Sequence, residues 1–316
     1  MSERHLQLPV LLSIAAALVT LVLKYVAYHL TGSVGLLSDA AESIVNLLAA
    51  VVAFLCLLYA ARPIDPSHTY GHEKIEFFSS GLEGTLVIVA AFGIGWAAVE
   101  RLFHPVELQR LDVGILICGL AAAINFGVAR LLLRVGRAHH SIVLEADAQH
   151  LMTDVWTSVA VIGGITLVWL TKMAGREIEA LDPLLALVMA GNILWTGSNL
   201  VRRSFNGLMD HSLPQEEQSA LRKAIEARLE PGMTYHAFRT RQAGARRFVD
   251  FHLLVPGSLT VKQAHACGDR IEEAVRSAAF NVEVTVHIEP IEDPGAWENT
   301  DLLKMEQAEK AKEQSP

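Results

Sequence analysis

The sequence predicts a polytopic α-helical membrane protein of six transmembrane helices, followed by a small C-terminal α/β domain. Three observations predict it. Hydrophobic residues make up 52% of the 316-residue chain and charged residues only 19%, and the apolar ones crowd into the first 200 positions. There they form six runs, each close to the roughly 20 apolar residues that a helix needs to cross a hydrocarbon core. Beyond Arg203 the runs give way to amphipathic helical spacing and to alternating strands.

The runs fall at Pro9–Leu30, Leu36–Ala60, Leu82–Glu100, Val113–Leu133, Ile142–Leu170 and Leu181–Leu200. No twin-arginine pattern or small-residue cleavage site follows the first, so it reads as a retained span rather than a signal peptide. Arg4, Arg62, Lys74, Arg134, Arg137, Arg202 and Arg203 fall on one side, against Arg101, Arg110, Lys172 and Arg176 on the other. By the positive-inside rule the first side is cytoplasmic, and both termini are expected there.

In the remainder, Pro214–Leu229 carries helical spacing through Leu221, Ile225 and Leu229, with proline suited to a first turn. Tyr235–Gln242 and Arg247–Val255 alternate around Ala243-Gly244-Ala245 and read as a hairpin. Thr260–Ala278 is a second amphipathic helix, and Val282–Ile288 a last alternating strand. The order αββαβ describes a two-layer domain of ferredoxin-like, metallochaperone-like type. The expected division is a segment 1–8, a six-helix membrane domain 9–208, a small α/β domain 209–292, and a disordered charged tail 293–316.

Composition excludes some functions. The formal net charge is −8, and no basic stripe with interleaved aromatics suggests nucleic acid. Cys56, Cys118 and Cys267 form no CxxC pair, so neither a disulfide framework nor a thiolate zinc site is indicated. No HExxH occurs and no serine or cysteine nucleophile is visibly paired with a base, which argues against an intramembrane hydrolase. No organic cofactor is expected.

Two polar pairs interrupt the apolar runs: Glu42 with Asn46, and His150 with Asp154. Members four apart project from one helix face. A charge at the centre of a bilayer helix costs about 2.5–3.5 kcal/mol on insertion scales, so these are poor groups to show to lipid. At 1.5 Å per residue, Glu42 and Asn46 lie about 9–15 Å in from the outside, and His150 and Asp154 about 12–18 Å in from the cytosol. Both pairs therefore reach the middle of a core about 30 Å thick. A mixed set of carboxylate, amide and imidazole ligands suits a divalent transition metal. The plainer reading is hydrogen-bonded glue between helices. Asp39 and Asp147 lie one turn away, as entry-path groups, supporting partners or, ranking first, simple helix-end charges.

Outside the spans, Asp65-Pro-Ser-His68-Thr-Tyr-Gly-His72-Glu-Lys74 places two histidines four apart near an aspartate. In the soluble part, His236, His252, His265 and His287 are dispersed over the hairpin, a helix and the last strand, and His287 shares a strand face with Glu289. Alone, both patterns fit solvated surface histidines as well as metal ligands.

Several of these segments together resemble the cation diffusion facilitator family of divalent metal transporters. Glu145-Ala-Asp-Ala-Gln-His150-Leu-Met-Thr-Asp154-Val looks like its metal-binding fifth helix, and Gly32-Ser-Val-Gly-Leu-Leu-Ser-Asp-Ala-Ala-Glu42-Ser-Ile-Val-Asn46 like its second. The resemblance runs over nearly the whole chain. It departs at Glu42 and Asn46, where the family usually carries His or Asp followed by Asp, and at Glu289, where Asp is usual.

The resemblance implies a second metal site at Asp65, His68 and His72. It also implies a charge interlock of Lys74 with Asp210, and a binuclear site in the C-terminal domain built from His236, His252, His265, His287 and Glu289. It further implies a homodimer in the inner membrane that exports a divalent cation, zinc by family frequency, in exchange for protons, with metal also serving as a structural ion. Export of Fe2+, Mn2+, Co2+ or Cd2+ is the alternative, and a membrane-anchored metal sensor is a more distant one.

Overall fold

The computed structural model describes residues 4–139, 142–174 and 180–297, with side chains described for all of these except 4–11, 50, 136, 138–139, 142–147 and 149–150. The chain divides into two compact units, Met1–Phe54 with Ser79–Arg202, and Leu55–Phe78 with Arg203–Pro316.

The first unit is helical. Its elements are α1 (Arg4–Thr31), α2 (Val34–Ala60), α3 (Ile75–Phe103), α4 (Leu111–His139), α5 (Ile142–Met173) and α6 (Leu181–Leu208), with the ends of α2, α3 and α6 running on into the second unit. Among the described residues, six helices are long and apolar enough to cross a membrane, as the six runs predict. The helices outrun the runs. α3 starts at Ile75 rather than Leu82, because Glu76, Ser79 and Ser80 dilute hydropathy without breaking a helix.

Large apolar side chains such as Phe92, Trp96, Leu116 and Val188 point outward, as lipid-facing residues do. The interior is lined instead by alanines, with Ala27, Ala98, Ala121, Ala129, Ala148 and Ala186 fully buried. Small residues let helix backbones approach where lipid supplies no hydrophobic drive to associate. One such close approach joins α3 to α6, where a Cβ on Gly84 would lie 2.8 Å from the Gly197 carbonyl oxygen.

The second unit holds α7 (Gln215–Glu226), β1 (Thr234–Ala243), β2 (Arg246–Val255), α8 (Val261–Ala278), β3 (Val282–Pro290) and a short α9 (Pro294–Trp297). The sheet order is β1-β2-β3, with β1 antiparallel to β2 and β2 parallel to β3. A parallel neighbour requires a crossover, which α8 supplies. Thr260 and Gln263 start α8 with a reciprocal capping box. Leu221 and Ile225 of α7 and Ile271 and Val275 of α8 pack on Val249, Phe251 and Leu253 to form the core. The expected αββαβ order is the observed one.

Two features depart from expectation. β1 breaks register between His236 and Arg239, and Ala237 adopts a left-handed φ of 52°. Such a bulge re-aims the side chains beside it. The tail was expected to be disordered from Asp293, yet Pro294–Trp297 is helical. Asp293 accepts the Gly295 N–H, and the Trp297 indole N–H donates to the Ile291 carbonyl. The rest of the tail, 298–316, lies outside the described residues.

The loop between α2 and α3 belongs to the second unit. Tyr70 meets Phe248 edge-on with ring centroids 6.0 Å apart, Arg241 stacks on both rings, and Arg246 pairs with Glu73 at 3.2 Å.

Candidate metal centres

In the first unit, α2 and α5 present their polar faces to each other. The Asn46 amide donates to Asp154 Oδ1 at 3.2 Å. A cavity of about 270 Å³ is lined by Glu42 and Asn46 from α2 and by Asp154 from α5. His150 lies in α5 one turn before Asp154, and its side chain lies outside the described residues.

The same cavity is lined by Glu83 of α3 and by Asn192 and Thr196 of α6, three residues absent from the set expected from sequence. Glu83 begins an apolar run and looks like an end charge, and Asn192 stands four before Thr196 within the sixth span. That i,i+4 spacing of polar groups inside a span was the available signal.

Asp39 is not the helix-end charge that ranked first. It is buried at 1% exposure and its Oδ1 accepts from the Lys24 ammonium at 2.8 Å, with Lys24 equally buried. Ser158 of α5 donates to the same carboxylate at 3.2 and 3.3 Å. Expected as a charge at a helix end, Asp39 is instead turned inward, because a cation from α1 and a hydroxyl from α5 meet it there. The Asp147 side chain lies outside the described residues.

In the second unit, Asp65, His68 and His72 converge. Asp65 Oδ1 accepts the backbone N–H groups of Ser67 and His68, both at 2.8 Å, and lies 3.1 Å from His68 Nδ1, while its Oδ2 lies 3.1 Å from His72 Nε2. Desolvation pushes the Asp65 carboxyl up, but these donors outweigh it and hold the group below its ordinary value. Gly71, at φ +89°, takes the left-handed turn that brings His72 back to Asp65. His72 is buried, and its Nδ1 has no hydrogen-bond partner among the described residues. Beside the cluster, Lys74 pairs with Asp210 at 2.8 Å, and Arg241 reaches the same carboxylate at 3.6 Å.

A second cluster crosses the sheet. His236, His252 and His287 are register partners on β1, β2 and β3. Glu289 Oε2 lies 3.1 Å from His236 Nε2 and 3.3 Å from His252 Nδ1, and its Oε1 lies 3.3 Å from His287 Nε2. His236 is buried with its Nδ1 unpartnered among the described residues, and Trp297 packs edge-on against its ring. Burial lowers the pKa of His252, although Glu289 pulls it back up, so burial favours the neutral imidazole that a metal requires. His265 stands apart on α8, 73% exposed and paired with Asp269 at 3.6 Å.

Among the described residues, two groups place their ligand atoms within 4.8 Å of one another: Asp65, His68 and His72, and His236, His252 and Glu289. The orphaned ring nitrogens of buried His72 and His236 and the nitrogen–oxygen donor sets fit a divalent metal in both.

Comparison with known proteins gives consistent matches. The family model described as the cation efflux transmembrane domain matches residues 10–209, and that of the cation efflux protein cytoplasmic domain matches 213–291. An uncharacterized transporter of Synechocystis sp. is 48% identical over 92% of each chain. The cation-efflux pump FieF of Shewanella oneidensis is 28% identical over 89% of this chain and 92% of its own. The metal-bound C-terminal domain of the CzcD transporter from Thermotoga maritima is 28% identical, covering 26% of this chain and 99% of that structure, with a TM-score of 0.23.

Proposed function

The chain belongs to the cation efflux family of cation diffusion facilitators, and from that premise we propose that it exports a divalent metal ion, zinc first, in exchange for protons. The observation that carries this reading is the cavity where Glu42, Asn46 and Asp154 meet between two helices able to span a membrane. His150 completes the proposed ligand set. Carboxylates stranded at that depth are costly unless they serve an ion.

The ligands supply the coupling. His150 binds metal only when neutral and the carboxylates only when ionised, so loading from the cytosol releases protons. Facing a more acidic outside, protonation of His150 and Asp154 competes the ion away. Rocking of the helices about this site gives alternating access. In this reading the protein is a homodimer in the inner membrane with both termini in the cytosol. Asp65, His68 and His72 would hold a second ion. His236, His252, His287 and Glu289 would hold structural metal in the C-terminal domain, with His265 contributing only after α8 or a partner brings it closer.

Asn46 in place of a carboxylate leaves the site one negative charge poorer, so affinity order alone does not choose among Zn2+, Fe2+, Mn2+, Co2+ and Cd2+. The test is uptake of each ion by sealed vesicles holding the purified protein, with internal pH followed in parallel. Zinc uptake tied to proton movement, and lost in Asp154→Ala, is expected. Uptake that persists in that variant, or zinc excluded while another ion passes, overturns the site or the metal.

A further inference from the structure

The mechanism above makes no use of Lys24, yet Lys24 is among the most completely buried side chains described. Its ammonium donates to Asp39 Oδ1 at 2.8 Å and to Ser43 Oγ at 3.0 Å. Ser43 in turn donates to the Asp39 carbonyl at 3.0 Å, and Ser158 donates to the Asp39 carboxylate. The Asp39 carboxylate of α2 thus joins a cation from α1 to a hydroxyl of α5, and α2 and α5 are the two helices that carry the proposed transport ligands.

Position gives the pair its meaning. Along α2, Asp39 stands one turn before Glu42, about 4.5 Å by helical rise. Along α5, Ser158 stands one turn after Asp154. Both offsets lead toward the same end of the bundle, where Thr31 precedes Val34, Phe103 precedes Leu111 and Met173 precedes Leu181. The cavity runs the other way, from Glu42 and Asp154 to Glu83 of α3 and Leu200 of α6, and Lys24, Asp39, Ser43 and Ser158 do not line it. The end bearing these helix connections carries a further tie beyond the pair, where Ser33 Oγ donates to Asp182 Oδ1 at 2.5 Å and the Val34 N–H to Asp182 Oδ2 at 2.8 Å.

Stability alone is a poor reason for such a pair. Removing two charges from water offsets most of their attraction, and apolar replacements are often as stable. The oxygens of Asp39, Ser43 and Ser158 are hard donors of the kind a passing cation meets on losing its water.

We propose that Lys24 is a tethered cation that locks the end of the transport route bearing the short helix connections, by occupying oxygens a metal ion meets when it leaves on that side. This rests on the transport reading above. While the lock is seated, the site opens only toward Glu83 and Leu200. When α1 withdraws the ammonium, α2 and α5 part at Asp39 and Ser158 and the opposite end opens.

Two thiol reporters test the lock in the full-length protein in nanodiscs. Cys118 lies buried in the cluster that holds Ala27 of α1 and Leu36 of α2, each three residues along its helix from Lys24 and Asp39, and reports on the locked end. With the native cysteines replaced, Thr196→Cys reports on the cavity side. Each is labelled with a charged methanethiosulfonate. Lys24→Met with Asp39→Asn removes both charges at nearly constant bulk. The expected result is Cys118 labelling faster by about tenfold and Thr196→Cys labelling slower by a similar factor, the sign of a shifted two-state population. Lys24→Arg is expected to retain the parent pattern. Ser158→Ala, which leaves the ion pair intact, moves both reporters in the same directions by less and decides the matter should the double variant fail to fold.

Unchanged reporters, or both rising together with a lowered melting temperature, overturn the lock, since a merely structural pair would loosen the whole bundle. Metal uptake by the parent in vesicles separates the two readings. If uptake occurs and the reporters stay still, only the lock falls. If the reporters move reciprocally without uptake, the pair still sets which end is open, but the transport reading falls and the lock's part in ion exit falls with it.

Discussion

At Asn46 the side chain meets Asp154 through a neutral amide donor, so α2 brings a single carboxylate, Glu42, to the cavity. Asn46→Asp restores a second. Opposite charges attract strongly at contact distance in a partly dry site, so the KM for zinc uptake is expected to fall about tenfold, equivalent to about 1.4 kcal/mol. An unchanged or higher KM would contradict a ligand role for this position. His252 supports a prediction about pH. Burial holds its pKa below the ordinary histidine value, so below about pH 6.5 the unfolded chain takes up this proton more readily than the folded one. The neutral ring therefore contributes stability that is present above pH 6.5 and lost as pH falls through the lower folded value. In melting experiments with chelator present, His252→Gln is expected to flatten the decline in stability below pH 6.5, and an unaltered decline would contradict it. At this scale the proposed ligands were legible because a carboxylate or imidazole inside an apolar run is conspicuous. Lys24 was not, because one lysine near a span's end reads as an interfacial residue, and only its packing against Asp39 shows otherwise.

The helices and strands owe their legibility to periodicity. The stripe of Ala264, Cys267, Ile271 and Val275 on α8 and the alternation in β3 need no tertiary information, although Val261, which the same spacing adds to the stripe, is exposed. What periodicity omits is which surfaces meet. The crossing of α3 and α6 at Gly84 and Gly197 is an example, since nothing local distinguishes these from glycines with open space beside them, such as Gly93. Gly84→Val is expected to destabilise the protein by about 1–3 kcal/mol through overpacking against the Gly197 backbone. Gly93→Val should change far less, and the two melting temperatures in detergent give the comparison. Equal effects would mean that the crossing is not the tight contact described. The bulge at Ala237 was likewise invisible, because it depends on register with β2, whereas the α9 turn carries a local signal, Asp293 capping the Gly295 N–H with Pro294 in the first turn.

For the whole molecule, the two-part organisation follows from composition, whereas the placing of segment 55–78, the loop and the helix ends beside it, with the C-terminal part follows from side chains, Tyr70, Glu73 and Lys74 among them, that composition does not reveal. The Lys74–Asp210 pair is partly exposed, and such pairs contribute about 0–1 kcal/mol. Asp210→Ala is therefore expected to leave folding and metal uptake nearly intact while lowering the yield of cross-linked dimer. Loss of uptake with the dimer unaltered would contradict an interlock role. The central claim is that Glu42, Asn46, His150 and Asp154 surround one ion, and anomalous diffraction from zinc-loaded crystals tests it most directly. The account predicts a peak between α2 and α5 at about 2.0–2.2 Å from carboxylate oxygens of Glu42 and Asp154 and a ring nitrogen of His150. Peaks confined to the loop and C-terminal histidines, with none between these helices, would contradict it.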